Sequence, residues 1–323
     1  MVLLSSIEIE IGHIIKGIRE ILQNQRAVIA FSGGMDSTVV LHLAKIALGA
    51  DMLTAANIEF GIFTYQQARK NVESITHSLQ IKLTSISGEK EQAAIMKHGP
   101  DCNLCTRKVK LGLIKNNFPQ NVILTGSNQS DSWGSYGLAF HSGYYAPLLN
   151  YKKDTIEDIA RYLGISIKRI GENNYREGCK LKHLLKPMVN KEYHGLAVSK
   201  ANEILLSRIK EDGFSTRIAN VKVMGPLSKN IALVNIDPMP SKKWLAGIKN
   251  EIEKLAEIEE CQVVDKPLEI LIKANKGQFN NMRSRYWIEK GRLQPEFTFP
   301  LQCKWLLTTN HRLKTFQVVD YNI

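Results

Sequence analysis

Cysteine is scarce in this chain: five among 323 residues, an odd number. That argues against a disulfide scaffold and points to a reducing compartment, the cytoplasm. No apolar run reaches the roughly 18 residues that a membrane span needs, so no membrane partner is expected. The opening stretch MVLLSSIEIEIGHIIKGIRE has acids early and no basic leader, and reads as an amphipathic helix, not a signal peptide. No internal repeat and no low-complexity segment is visible. Acids are the minority, 31 against 43 Lys and Arg, which leaves a formal net charge of +12. Such a balance favours a polyanionic partner such as RNA, or an anionic substrate, unless the lysines only solvate the surface.

What is present is an ordinary globular composition, 44% hydrophobic, in a chain long enough for two domains. Residues 26–48 read RAVIAFSGGMDSTVVLHLAKIAL. A short apolar run, AVIAF, predicts a buried strand, and STVVLHLAKIAL carries apolar residues at helical spacing. The turn between them, SGGMDS, places two glycines and two hydroxyl residues at a strand-to-helix junction. Gly33 and Gly34 let backbone approach a phosphate, and the N–H groups and dipole of the following helix attract the anion. Ser32 and Ser37 offer hydroxyls. Asp36 would repel a phosphate alone, so its natural task is to hold Mg²⁺ against it.

The loop lacks the Gly-Lys-Ser/Thr ending of a Walker motif. It resembles the SGGxDS loop of the PP-loop ATP pyrophosphatases, which cleave ATP between its α and β phosphates, adenylate a substrate oxygen and release pyrophosphate. Later segments agree with that resemblance. MLTAANIEF (52–60), KLTSIS (82–87) and NVILTGSNQSD (121–131) read as strands, with a helix over 64–81. The last resembles the superfamily's G-x-N-x-x-D turn across the nucleotide, which implies roles for Gly126, Asn128 and Asp131; Ser130 stands where the family often has a first acid. Alternating strands and helices predict an α/β fold, a doubly wound parallel sheet with nucleotide at the carboxyl ends of its strands. The expected division is an N-terminal helix over 1–24, the nucleotide domain over 25–212 and a smaller α+β domain over 213–323.

Cys102 and Cys105 lie three apart in DCNLCTRKVK, and Cys179 follows in YREGCKLKHLLKP, after a Pro-Leu turn and a helix expected from Asp154 to Leu163. A lone CxxC is ambiguous. The order SGGxDS, CxxC, GxNxxD, PLL-helix-LGI and single Cys resembles the ATP-dependent sulfurtransferases of the superfamily, both the tRNA 2-thiolation enzymes and the LarE family. The resemblance implies ATP, Mg²⁺ and a [4Fe–4S] cluster on Cys102, Cys105 and Cys179, with sulfide or a persulfide as sulfur donor and either tRNA or a small carboxylate as substrate. Two alternatives stay open: a structural zinc completed by His98 or His183, and a persulfide on Cys179. Arg107, Lys108, Lys110, Lys180 and Lys182 flank the cysteines, either to balance negative charge or as solvated faces. Cys261 and Cys303 sit in apolar surroundings and read as core, and His13, His42 and His77 as packed helix residues.

Rival functions are an ammonia-using synthetase of the same superfamily, and a non-catalytic nucleotide- or RNA-binding protein with a structural zinc. Homo-oligomerisation is left open. In the second half, a helix is expected over 190–214, then two alternating β runs, a helix over 241–259 and a further strand. Residues 273–292 interleave Lys273, Lys276, Arg283, Arg285, Lys290 and Arg292 with Phe279, Tyr286 and Trp287. That pattern suits single-stranded RNA, or a basic edge strand with its aromatics turned inward.

Overall fold

A computed structural model describes residues 6–130, 139–170 and 178–322. The chain divides into two compact units. The first is drawn from Met1–Glu59, Gln66–Gly88 and Thr106–Ile170; the second from Phe60–Tyr65, Glu89–Cys105 and Gly171–Ile323.

The first unit is the doubly wound sheet. Strands β1 (Ala27–Ala30), β2 (Leu53–Glu59), β3 (Lys82–Ser87), β4 (Val122–Leu124), β5 (Phe140–His141) and β6 (Tyr144–Tyr145) form one six-stranded sheet. Their order is β3-β2-β1-β4-β6-β5. All neighbours are parallel except the β5–β6 pair at the edge. Successive residues of the central strands bury on opposite faces. Ala27, Ile29, Leu53 and Ala55 join a cluster with α1 (Ser6–Leu22), α2 (Met35–Leu48) and the helix Lys153–Tyr162. Val28, Ala56 and Ile123 pack on the other side with Ile114. Burial on both faces explains why these strands are short apolar runs without polar alternation. In α1, Ile11, Ile14, Ile18 and Leu22 recur at helical spacing and are the buried residues.

The strand order reverses at β1: the chain leaves toward β2 and β3 on one side and returns as β4 on the other. In an open parallel sheet, ligands bind at the carboxyl ends of the strands beside such a switch point. The SGGMDS turn follows β1 and the Gly126 turn follows β4, so the topology brings these two segments to one crevice.

The second unit holds two three-stranded sheets. β7 (Ile218–Met224), β8 (Ile231–Asp237) and β9 (Glu260–Val263) form one, antiparallel then parallel. β10 (Leu268–Ala274) is central in the other, parallel to β11 (Leu301–Leu307) and antiparallel to β12 (Phe316–Asn322). The expected helix over 241–259 is shorter, Lys242–Glu253, capped by the Ser241 hydroxyl. Residues 276–293 are helical segments, Lys276–Asn280, Met282–Tyr286 and Trp287–Leu293, not an edge strand. Asn275 and Asn281 accept from backbone N–H groups and start the first two.

Candidate functional site

In the first unit, the phosphate loop is already folded on itself. The Ser37 hydroxyl lies 3.2 Å from that of Ser32, accepts from the Ser32 N–H at 3.3 Å and donates to the Gly34 carbonyl at 3.1 Å. Thr38 donates to the same carbonyl at 2.8 Å. Gly33 has φ +74, the left-handed region that glycine enters without strain, and a Cβ there would meet the Val72 N–H nitrogen at 3.1 Å. Gly34 is the N-cap of α2 and makes no side-chain cap, so the helix terminus faces the loop without a competing side chain.

The Gly126 turn packs against the loop backbone. A Cβ on Gly126 would stand 2.9 Å from the Ser37 nitrogen and 3.0 Å from the Asp36 carbonyl carbon. Asn128, almost fully buried, donates from Nδ2 to Asp36 Oδ2 at 3.0 Å, and its Oδ1 accepts the Ser130 N–H at 2.9 Å. Lys153 places Nζ 2.5 Å from the other carboxylate oxygen of Asp36. Ser32, Gly33, Gly34, Asp36, Ser37, Gly126 and Asn128 are therefore brought together. Asp131 lies outside the described residues. Lys153 is a member of this site that the sequence reading missed. Its only signal was the Lys-Lys pair after the Pro-Leu turn.

A single carboxylate on a phosphate-binding loop suits Mg²⁺, which keeps several waters and takes its other oxygens from substrate phosphates. Asp36 and the Ser37 hydroxyl are the side chains that would hold it.

The three cysteines belong to the second unit. Asp101 caps the turn that carries the first pair, accepting the Leu104 N–H at 2.8 Å. Cys102–Leu104 is one α-helical turn, and Cys105 opens a π-helical stretch to Leu111. Such local widening is frequent at functional sites. Gln92, buried on the helix Glu89–Met96, donates from Nε2 to Cys179 Sγ at 3.3 Å and to Cys105 Sγ at 3.8 Å. One amide thus gathers sulfurs from segments far apart in sequence, no farther from each other than the two bonds laid end to end. Thiolates of one cubane stand on the order of 6–7 Å apart. Cys102 is exposed one turn before Cys105, within electrostatic reach of Lys182. None of the five cysteines is in a disulfide. Among the described residues, no three His, Cys, Asp or Glu side chains are grouped to hold a metal ion. Thiolates are the usual ligands of iron–sulfur clusters, but these three are not gathered as one ligand set. In the arrangement described, Cys105 and Cys179 form a pair, and Cys102 does not complete a trio with them.

Beside this pair lies a buried charge network that sequence reading did not anticipate. His183, fully buried, places Nε2 3.0 Å from the Tyr65 hydroxyl and Nδ1 2.8 Å from Lys222 Nζ. Both ring nitrogens are engaged, which leaves neither open to zinc. His98 bonds the Arg312 carbonyl at 3.0 Å. Glu296 pairs with Lys222, and with Lys182 at 3.5 Å. Burial alone would push the Glu296 carboxyl up, but the Lys222 and Lys182 ammonium groups outweigh it and hold it well below the usual range. Burial, aided by Lys222, holds His183 well below its ordinary value. Burial also lowers Lys222, to about 8, against the opposing pull of Glu296. Burial raises the Tyr65 phenol, and the Cys179 sulfur adds to the effect.

Of the flanking cations, Lys180 is buried and committed to the Ile62 carbonyl at 2.8 Å, Ser199 at 3.2 Å and Glu203. Arg107 and Lys108 are exposed. Cys261 is buried and its thiol is pushed up to about 12; Cys303, half-buried against the second unit's core, is likewise pushed up to about 12.

Comparison with known proteins agrees with the geometry of the first unit. Residues 3–144 match a family described as a PP-loop domain. The chain is 29% identical over 163 residues to the pyridinium-3,5-bisthiocarboxylic acid mononucleotide synthase of Lactiplantibacillus plantarum, a match covering 49% of this chain and 44% of that protein. It is 28% identical over 149 residues to the glutamine-dependent NAD(+) synthetase of Xylella fastidiosa, covering 42% of this chain and 27% of that one. The chain thus matches less than half the length of each relative. Its N-terminal part, residues 3–144, carries a PP-loop domain. Among the described residues, no helix is long and apolar enough to cross a membrane.

Proposed function

We propose that this chain is an ATP-dependent sulfurtransferase that adenylates a substrate oxygen, releases pyrophosphate and replaces that oxygen with sulfur. The observation that supports sulfur chemistry is the meeting of Cys105 and Cys179 at the Gln92 amide, in a chain whose other unit carries the phosphate loop. ATP phosphates lie against the Gly33–Gly34 backbone and the α2 terminus, with the Ser32 hydroxyl donating to them and the Ser37 oxygen facing Mg²⁺. Asp36 holds Mg²⁺, which neutralises phosphate charge. A carbonyl or carboxylate oxygen of the substrate attacks the α-phosphorus, the bond to the β-phosphate oxygen breaks, and pyrophosphate leaves. Hydrosulfide then attacks the adenylated carbon, and AMP departs with the oxygen. The protein's part is positioning and charge stabilisation.

A [4Fe–4S] cluster would require Cys102 to join the Cys105–Cys179 pair; the three would then hold it, and its open iron would supply bound hydrosulfide. Lys182, close to Cys102 and paired with Glu296, contributes positive charge that favours anionic sulfur. In the alternative route Cys179 takes its outer sulfur from a persulfide donor, that sulfur attacks the adenylated carbon as AMP leaves, and the Cys105 thiolate then breaks the S–S bond, releasing the thio product and leaving a Cys105–Cys179 disulfide. The substrate class is a tRNA base or a small carboxylate, the latter in keeping with the thiocarboxylate product named for the Lactiplantibacillus relative. The site of action is the cytoplasm.

A second reading, an ammonia-using synthetase, draws on the NAD(+) synthetase likeness. It gives the paired cysteines no task. The test is AMP formation with sulfide or ammonium as the only nucleophile, together with iron, sulfide and zinc analysis of anaerobically purified protein. Sulfide-dependent turnover that Cys179→Ser abolishes, with ATP binding retained, is expected. Ammonium-dependent turnover unaffected by Cys179→Ser would overturn the sulfur reading.

A further inference from the structure

The helical stretch 276–293 of the second unit has two faces with different fates. Phe279, Ile288 and Leu293 pack into the core beneath β10 and β11. Arg285 is drawn inward too, its guanidinium 5.4 Å from the centre of the Phe279 ring and 5.9 Å from that of Trp305. Arg292 stacks on Phe316 at 5.3 Å and donates to the Pro100 carbonyl. The one acid of the stretch, Glu289, accepts from the Trp305 indole and so also turns inward. The outer face keeps Met282 at 76% exposure and Tyr286 and Trp287 at 59% each, and Arg283, Lys290 and Lys276 of the same stretch are exposed too.

Arg283 stands one turn before Tyr286 and Trp287 at α-helical spacing, and Lys290 follows in the π-helical turn that Trp287 opens. The rings are held in place. A Cβ on Gly291 would stand 2.8 Å from the Trp287 ring, so that ring lies directly against the glycine. Tyr286 meets Trp287 edge-on, with centroids 5.9 Å apart at 79°. Two large aromatic surfaces are left in water there, and among the described residues no carboxylate forms an ion pair with Arg283, Lys290 or Lys276.

We propose that this outer face is a docking platform for single-stranded RNA, with bases stacking on Trp287 and Tyr286 and phosphates paired to Arg283, Lys290 and Lys276. The chemistry matches feature by feature. Base stacking needs exposed, fixed aromatic planes and tolerates any sequence. Backbone binding needs cations without neighbouring acids. A protein partner of ordinary composition would meet these cations with carboxylates and would not require the rings to stay flat and open. Folded RNA is the nucleic acid that presents unpaired bases in loops and ends. The proposal stands apart from the ATP and sulfur chemistry, since neither ATP nor any cysteine takes part.

The test is binding of a short fluorescein-labelled oligouridylate to the full chain, by anisotropy, across a salt series and without ATP. The parent protein is expected to bind, with the logarithm of its affinity falling linearly as log salt rises. Trp287→Ala should weaken binding roughly tenfold or more at fixed salt. Arg283→Glu should weaken it and flatten the salt slope. Lys16→Glu makes the same charge change on an exposed position of the first unit and should match the parent. Trp287 is mostly exposed, and thermal melts of both platform variants should match the parent, so lost binding cannot be lost folding. No binding by the parent, binding unchanged by Trp287→Ala, or preference for oligodeoxythymidylate alone would overturn the proposal. So would a concentration-dependent dimer broken by Trp287→Ala, which would make this face an interface between copies.

Discussion

Lys153 holds Asp36: its ammonium nitrogen lies 2.5 Å from one carboxylate oxygen, while the Asn128 amide occupies the other at 3.0 Å. The loop's only acid is thus aimed from both sides before any nucleotide arrives. Lys153→Met should leave the fold intact, because the pair is partly open to water, and should raise the KM for ATP roughly tenfold. That is the scale of one lost charge-assisted hydrogen bond. Steady-state pyrophosphate release against ATP concentration reads it, and an unchanged KM would show that Lys153 only rests on Asp36.

The approach of the Gly126 turn to the loop leaves no room for a methyl group. Gly126→Ala must push the turn off the Ser37 nitrogen, at a cost of about 1–3 kcal/mol in stability. Thermal unfolding should show the loss, and nucleotide binding by calorimetry should weaken along with it. Alanine at Gly247, whose Cβ would meet nothing within 4 Å, should leave nucleotide binding as in the parent.

Glu296 pairs with both Lys182 and Lys222; Glu296 and Lys222 are buried and Lys182 is nearly so. Glu296→Gln removes the negative charge and leaves the ammonium groups facing each other. A broken buried pair of this kind costs about 3–5 kcal/mol. Denaturant unfolding should therefore shift strongly. A midpoint within error of the parent would mean that water reaches the network.

The same network fixes the direction of acid sensitivity. His183 and Glu296 both have folded values depressed below their ordinary 6.5 and 4.5. Each contributes stability that is present above its unfolded value and lost as pH falls, because the unfolded chain then binds the proton first. Melting temperature should decline as pH drops below about 6.5, first through His183 and more steeply below about 4.5 through Glu296. In His183→Phe the upper part of that decline should disappear.

The phosphate loop, the strand pattern and the cysteine spacing were readable because each is a contiguous stretch whose chemistry is local. SGGMDS carries its turn, its helix start and its hydroxyls within six residues. Lys153 was not readable: it reaches Asp36 from 117 residues away, and nothing near it distinguishes it from Lys152. Gln92 and Tyr65 were hidden for the same reason. Lys222 was obscured differently, since β7 is buried along nearly its whole length and its lysine breaks no visible alternation. Residues 276–293 read equally well as a strand because their apolar positions are sparse; the Asn275 and Asn281 caps decide for helix.

The most direct measurement is product analysis of ATP turnover by the parent protein and Asp36→Asn, with sulfide and each candidate acceptor, separating AMP and pyrophosphate from ADP and phosphate. AMP and pyrophosphate in equal amounts are predicted. With Asp36→Asn both should fall by roughly two orders of magnitude or more, as expected when phosphate charge loses its stabilising partner, while the melting curve stays close to the parent's. ADP and phosphate as the products, or an Asp36→Asn protein that makes pyrophosphate at the parent rate, would contradict it.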